Sequence, residues 1–252
     1  MITRRTTSYR GGAVIDVEEY PTRHSGPAGS GRMKKKKATP EEMAAINHAN
    51  KVRSCRGFLL EYFGSGDLFV TWTYAVPERP AGMKAACADF QKAIRKVKRE
   101  YKQRGKDLYW IRNIEKGTRG AWHIHLVVNA IDGAADILRS AWRKGGIYIE
   151  MIRTGKFYDE DFMKLAEYLT KDENAVEKKK DGTPAKPRVN ESSYSRSRNM
   201  KLPETKKKAM LRLPKEPKAK KGYYIARIHE GVNPFSGKRY RRYTMIKLNM
   251  RI

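Results

Sequence analysis

Apolar and polar positions along this chain follow two periods, one near 3.6 and one of 2, and their order predicts an architecture. "TPEEMAAINHANKVRSCRGFLLEYF" reads as a helix: Thr39-Pro40 and two glutamates make a favourable start, and Met43, Ile46, Leu59, Leu60 and Phe63 supply apolar positions before "GSG" ends it. "DLFVTWTYAV", residues 67–76, is β-rich and reads as a strand. "MKAACADFQKAIRKVKREYKQRG" spaces Met83, Cys87, Phe90, Ile94, Val97 and Tyr101 by threes and fours, so it predicts an amphipathic helix with a basic outer face. "DLYWIRNIEK" and "AWHIHLVVNA" read as two strands joined by the short turn "GTRG". "AADILRSAWRKGG" is a helix with a glycine stop, and "IYIEMI" is a further strand. "DEDFMKLAEYLTKDENAVEKK" is a helix with an acidic first turn, as the helix dipole favours.

From Asp67 to Ile152 the order is strand, helix, strand, strand, helix, strand. That is the ferredoxin-like βαββαβ arrangement of the α+β class, an antiparallel sheet with both helices on one face. The other face is left for the helix that follows. Near the C-terminus, "GYYIARIHEGVNPFSGKRYRRYTMIKL" reads as a hairpin turning at "NPFSG". The expected organisation is a mobile basic tail over 1–40, a domain with its N-terminal helix over 41–178, a Pro/Lys-rich basic arm over 179–221, and the hairpin extension over 222–252.

Charge sharpens this picture. The 252 residues carry 55 Lys+Arg against 27 Asp+Glu, a formal net charge of +28. Such an excess points to a polyanionic partner, because each neutralised phosphate releases counterions. No apolar run reaches the roughly 18 to 20 residues of a spanning helix, and the first residues lack a signal peptide's apolar segment, so a soluble cytoplasmic protein without a membrane partner is expected. Cys55 and Cys87 form no CxxC and read as reduced structural thiols.

The period of 2 also places candidate chemistry. In "AWHIHLVV", Trp122, Ile124, Leu126 and Val128 alternate with His123, His125 and Val127, so the apolar set goes beneath the helices and both histidines go to the other face. A hairpin closed with Glu115 opposite Ala121 puts Glu115 on that face, diagonal to His123. Two imidazoles and a carboxylate suit a divalent cation that keeps coordination positions for a substrate phosphate. On the following helix, Tyr168 and Lys171 share a face in "EYLTK", with Lys164 one turn before. A neutral tyrosine hydroxyl is a poor nucleophile that a nearby ammonium and a polarised phosphate would assist. Taken alone, His-x-His on a strand is more often a half-exposed polar pair, and a tyrosine at helical spacing with Leu165 is more often core. His24, His48 and His229 read as structural or solvent-facing. "GVNPFSGKRY" misses the spacing of a phosphate loop.

Together, "FVTWTY", "GTRGAWHIHLVV" and "YLTK", in that order, resemble the three motifs of the HUH endonucleases, specifically the rolling-circle replication initiators of plasmids and single-stranded DNA phages. The resemblance covers roughly residues 40 to 210, since "YSRSRNMKLP" also looks like a segment downstream of the tyrosine in such proteins. It implies that His123, His125 and Glu115 hold Mg²⁺ or Mn²⁺. It also implies that Tyr168 nicks one DNA strand, keeps the 5′ phosphate and frees a 3′-OH primer, with Lys171, or less so Lys164, orienting the phosphate. Single-stranded and origin DNA are the implied partners, with a host helicase and polymerase, since no helicase domain is present. Arg119, Arg196, Arg198, Arg239, Arg241 and Arg242, with Lys164, are the expected nucleic-acid contacts, the last three arginines being interleaved with aromatics. Phage initiators often carry two tyrosines one turn apart; here position 164 is Lys and 172 is Asp, leaving Tyr158 and Tyr194 as the other nearby tyrosines. Two rivals remain: a single-tyrosine HUH transposase, and a non-enzymatic ferredoxin-like RNA-binding domain, whose aromatic strand motif "RGFLLEYF" partly matches. A conjugative relaxase fits less well, because its tyrosine precedes the histidines.

Overall fold

The computed structural model describes residues 1–22, 38–117, 120–171, 193–233 and 237–248. In chain order its elements are β1 (Ile2–Tyr9), β2 (Val14–Pro21), α1 (Pro40–Tyr62), β3 (Leu68–Thr73), α2 (Met83–Gln103), β4 (Trp110–Lys116) and β5 (Trp122–Val128). Then come α3 (Ala134–Ala141), β6 (Ile147–Met151), α4 (Met163–Thr170), β7 (Tyr194–Arg196), β8 (Thr205–Met210), β9 (Tyr223–Val232) and β10 (Arg239–Lys247). The chain forms two compact units, one of Lys51–Lys201 and one of Met1–Asn50 with Leu202–Ile252. No described helix is long and apolar enough to cross a membrane.

The unit of Lys51–Lys201 is built on an antiparallel sheet of order β6-β3-β5-β4-β7. Its first four strands, with α2 and α3 as crossovers, have the expected ferredoxin-like order. The physical cause is the period-2 pattern: Trp72, Ile114, Ile124 and Leu126 point to one face, where Phe90, Ile94 and Val97 of α2 and Ile137 and Leu138 of α3 bury them. Trp142 stacks on Trp72 with ring centroids 4.9 Å apart and donates from Nε1 to Thr73 O at 2.9 Å, which satisfies its buried N–H.

The other face carries two additions. Strand β7 extends the sheet beside β4, with Asn113 opposite Tyr194. Helix α1 starts where expected, on a capping box in which Glu42 N–H donates to Thr39 Oγ1 at 3.2 Å and Thr39 N–H donates to Glu42 Oε2 at 2.8 Å. Its second half is the buried half, including Val52, Cys55, Phe58 and Leu59. There Arg56 donates to Asp161 O at 2.7 Å and pairs with its carboxylate at 3.3 Å, both side chains being almost fully buried. That contact fixes the turn before α4, where Phe162 is held at φ 55°, a conformation that L-residues rarely adopt.

Helix α4 itself differs from its expectation. It begins at Met163 with no acid in its first turn; Asp159 lies before it and accepts the Lys164 N–H at 3.1 Å. Lys171 is its C-cap in extended conformation, so Lys171 does not share the helical face of Tyr168, because the chain has already left the helix. Residues 172–192 lie outside the described residues.

The second unit corrects the expected tail. Residues 2–9 and 14–21 are strands in a sheet of order β8-β1-β2-β10-β9. Ile15 and Val17 point to one face and form a cluster with Tyr243 and Met245 of β10. The strand partners are supplied from the far end of the chain, Ile2 opposite Met210 and Val17 opposite Tyr243. The expected arm over 179–221 likewise contains β7 and β8, while the hairpin of β9 and β10 forms as expected, with residues 234–236 outside the description.

Candidate active site

The site is made by cross-strand neighbours on the face away from α2 and α3. In the β4–β5 ladder Glu115 stands directly opposite His123 and Asn113 opposite His125; in the β3–β5 ladder Thr71 stands opposite His125. The register differs from the expected one by two residues: Ala121 pairs with Gly117, whose N–H donates to Ala121 O at 2.8 Å. The shift moves Glu115 from a diagonal to a direct neighbour of His123, and because it is an even number of residues the three side chains stay on one face. One ligand atom from each of Glu115, His123 and His125 lies within 4.8 Å of the others.

His125 is the centre of the arrangement. Its Nε2 lies 2.9 Å from Glu115 Oε1 and 2.8 Å from Tyr168 Oη, and its Nδ1 lies 3.1 Å from Thr71 Oγ1. Tyr168 is held over it by aromatic contacts: Phe157 stacks on its ring at 3.8 Å between centroids, and Phe69 lies 6.1 Å away. From below, Asn113 Nδ2 donates to Lys171 O at 3.1 Å and makes a longer contact of 3.4 Å with Tyr168 O. Strand β3 therefore fixes the imidazole, β4 the carboxylate and the end of α4, and α4 the phenol.

The electrostatics suit a cation. The hydrogen bond to His125 holds the Glu115 carboxyl below its ordinary pKa, with the charges of His125, His123 and Lys171 adding to it against burial. Burial, and then the charge of His125, lowers the pKa of His123 against the pull of Glu115. An ionised carboxylate and a neutral imidazole are the states a metal ion requires. Two imidazole nitrogens and one carboxylate oxygen at this separation fit a single divalent ion that keeps open positions. Burial, then the Glu115 charge, raises the Tyr168 phenol, so it is neutral without such an ion.

Of the other expected contacts, Lys164 and Arg198 are exposed in this unit, and Arg119 lies outside the described residues. Arg196 packs its guanidinium over Phe58 at 3.9 Å and donates to Ser197 O and Met200 O, a tethered rather than an extended side chain. In the other unit Arg239 is exposed and Arg242 is half-exposed beside Glu18 at 3.1 Å. Arg241 is a correction: 1% exposed, it is held by Glu19 at 3.2 Å and by the carbonyls of Pro214 and Lys215, so it is part of that unit's interior. "RGFLLEYF" lies in α1 with Phe58 buried, not on a strand, which removes the RNA-binding motif.

Thr71, Asn113 and Phe157 were not singled out in the sequence. Thr71 and Asn113 could have been found by carrying the alternation across neighbouring strands, because each stands opposite His125; nothing local marked Phe157.

Residues 67–173 match a family model for replication-associated proteins of the ORF2 type. The match opens just before β3 and closes just past α4, so it spans all the site residues named above. Neither the curated proteins nor the solved structures gave a match to the chain.

Proposed function

We propose that this protein starts replication by nicking one strand of DNA at an origin through Tyr168, as a single-tyrosine HUH endonuclease. The observation that carries the reading is the position of Tyr168 Oη, 2.8 Å from Nε2 of His125 and directly at the Glu115–His123–His125 cluster. The likeness of residues 67–173 to replication-associated proteins favours a replication initiator over a transposase.

Glu115, His123 and His125 would hold Mg²⁺ or Mn²⁺, and two imidazoles suit Mn²⁺ better than Mg²⁺. Bound there, the ion supplies positive charge that polarises a phosphate and favours the phenolate. Phe157 and Phe69 orient the Tyr168 ring and keep water from one side of it. In the reaction the Tyr168 O–H proton goes to solvent, and Oη bonds to phosphorus as the bond to the 3′ oxygen breaks. That oxygen takes a proton from solvent and leaves as the primer hydroxyl. Lys171, whose charge already acts on Glu115, is placed to neutralise the phosphate. The same chemistry run backwards rejoins the strand, and a host helicase and polymerase would extend it.

The test is incubation of the full chain with Mn²⁺ and end-labelled single-stranded DNA from its own replicon. A slowed protein–DNA band on a denaturing gel, mapped by peptide mass spectrometry to Tyr168 and absent from Tyr168→Phe, is the expected result. An adduct on Tyr158 or Tyr194, or cleavage by Tyr168→Phe, overturns the assignment.

A further inference from the structure

The catalytic sheet has a second face, and what covers it carries a separate function. Helix α2 buries Phe90, Ala93, Ile94, Val97 and Tyr101 against that face. Lys92, Arg95, Lys96 and Arg99, at positions i, i+3, i+4 and i+7, therefore form one stripe pointing directly away from the sheet, and all four are exposed. Lys98 and Lys102 flank it.

These charges are uncompensated. Among the described residues Lys92, Lys96, Lys98, Arg99 and Lys102 have no carboxylate within ion-pair distance. The two acids of the helix are engaged elsewhere, Glu100 with Arg104 at 2.9 Å and Asp89 with Lys144 at 3.6 Å. A solvated helix of ordinary stability interleaves charges of opposite sign; this one accumulates repulsion that a polyanion relieves.

The composition of the stripe selects the kind of polyanion. Binding of single strands combines cations with aromatic platforms on which bases stack. The exposed positions of α2 from Gln91 to Gln103 carry Lys, Arg and Gln and no aromatic ring. The opposite face of the sheet has the rings: Tyr148 is 60% exposed, and Phe157 and Tyr158 are half-buried. Phosphates without stacking are what a duplex offers on its outside. A helix of 21 residues runs about 30 Å, close to the length of one duplex turn.

We propose that the α2 stripe of Lys92, Arg95, Lys96 and Arg99 binds the phosphate backbone of duplex DNA, on the sheet face opposite the one that handles the nicked single strand. This goes beyond the nicking reading and is measured apart from it, because duplex binding needs neither the metal nor Tyr168.

The test is fluorescence anisotropy with the full chain in metal-free buffer, using one sequence as duplex and as single strand over a range of salt. The variant Lys92→Gln/Arg95→Gln/Lys96→Gln/Arg99→Gln removes the stripe with residues that keep helix propensity. The control Lys206→Gln/Lys207→Gln/Lys208→Gln/Lys215→Gln removes equal charge from the other unit. Expected for the stripe variant is a loss of about tenfold or more in duplex affinity and a salt slope shallower by roughly 3 to 4, at about 0.9 per lost phosphate contact. Single-strand affinity should change far less, and nicking of a short single-stranded oligonucleotide should persist. The proposal is overturned if duplex and single strand weaken equally, if neither weakens, or if the control lowers duplex binding as much. A stripe variant that binds normally but fails to nick would instead count against both readings of the unit's faces.

Discussion

Asn113 Nδ2 donates to the main-chain carbonyl of Lys171 at 3.1 Å, tying the end of the helix that bears Tyr168 to the strand that bears Glu115. Asn113 is 1% exposed and stands opposite His125, so its amide sets the height of Tyr168 over the imidazole. Removing it leaves buried carbonyls without a donor and lets the helix end shift. Displacement by about 1 Å costs on the order of a hundredfold in rate when reacting groups must align. Asn113→Ala should therefore lower the single-turnover nicking rate by about tenfold to a hundredfold while Mn²⁺ affinity, read by electron paramagnetic resonance, stays near wild type. Equal losses of metal and rate would show that the amide supports the whole site rather than the nucleophile.

Thr71 acts on the other side of His125. For Nε2 to present its lone pair to a cation, Nδ1 must carry the proton, and Thr71 Oγ1 at 3.1 Å is its acceptor. Thr71→Val keeps the shape and removes the acceptor, and should weaken Mn²⁺ binding by about tenfold or more. Thr71→Ser should restore it. Normal Mn²⁺ affinity in the valine variant would mean that the tautomer is fixed by something else.

His123→Ala and His125→Ala should each abolish Mn²⁺ binding and nicking while leaving DNA affinity within about twofold, since affinity rests on dispersed cations. A titration by anisotropy beside a nicking assay separates the two. Cleavage at the native rate by either variant in metal-limited buffer would remove that histidine from the site.

The parts of this architecture visible in the sequence are those whose signals are local. Alternation in "AWHIHLVV" gave the strand, its buried face and the histidine face, and threes and fours gave α2 with its basic outside. What failed depended on partners far along the chain. In β1, "ITRRTTSY" shows no apolar alternation, because its pairing with β8 is made through backbone groups and threonines, such as Thr7 Oγ1 to Thr205 Oγ1 at 2.9 Å. The site's support was hidden for the same reason: Asn113 and Thr71 acquire roles only when strands separated in sequence come into register. Arg241 and Arg242 looked alike as basic residues among aromatics, yet successive positions on a strand face opposite ways.

That last contrast gives a measurable difference between neighbours. Arg241 is buried with Glu19, whose side chain is fully buried, and Glu19 also takes Arg4 at 2.6 Å. Arg241→Ala removes the cation that offsets a buried carboxylate, a loss of about 3 to 5 kcal/mol where one partner of a buried pair is deleted. Arg242 pairs with Glu18 at 3.1 Å with its side chain 44% exposed, so solvent screens the pair and Arg242→Ala should cost about 0 to 1 kcal/mol. Urea unfolding of the full chain, followed by a probe in the unit of β1, β2, β8, β9 and β10, should show a large shift in midpoint for the first and little for the second. Equal midpoints would mean that Glu19 is satisfied by Arg4 alone and that Arg241 is not the residue holding that sheet's interior.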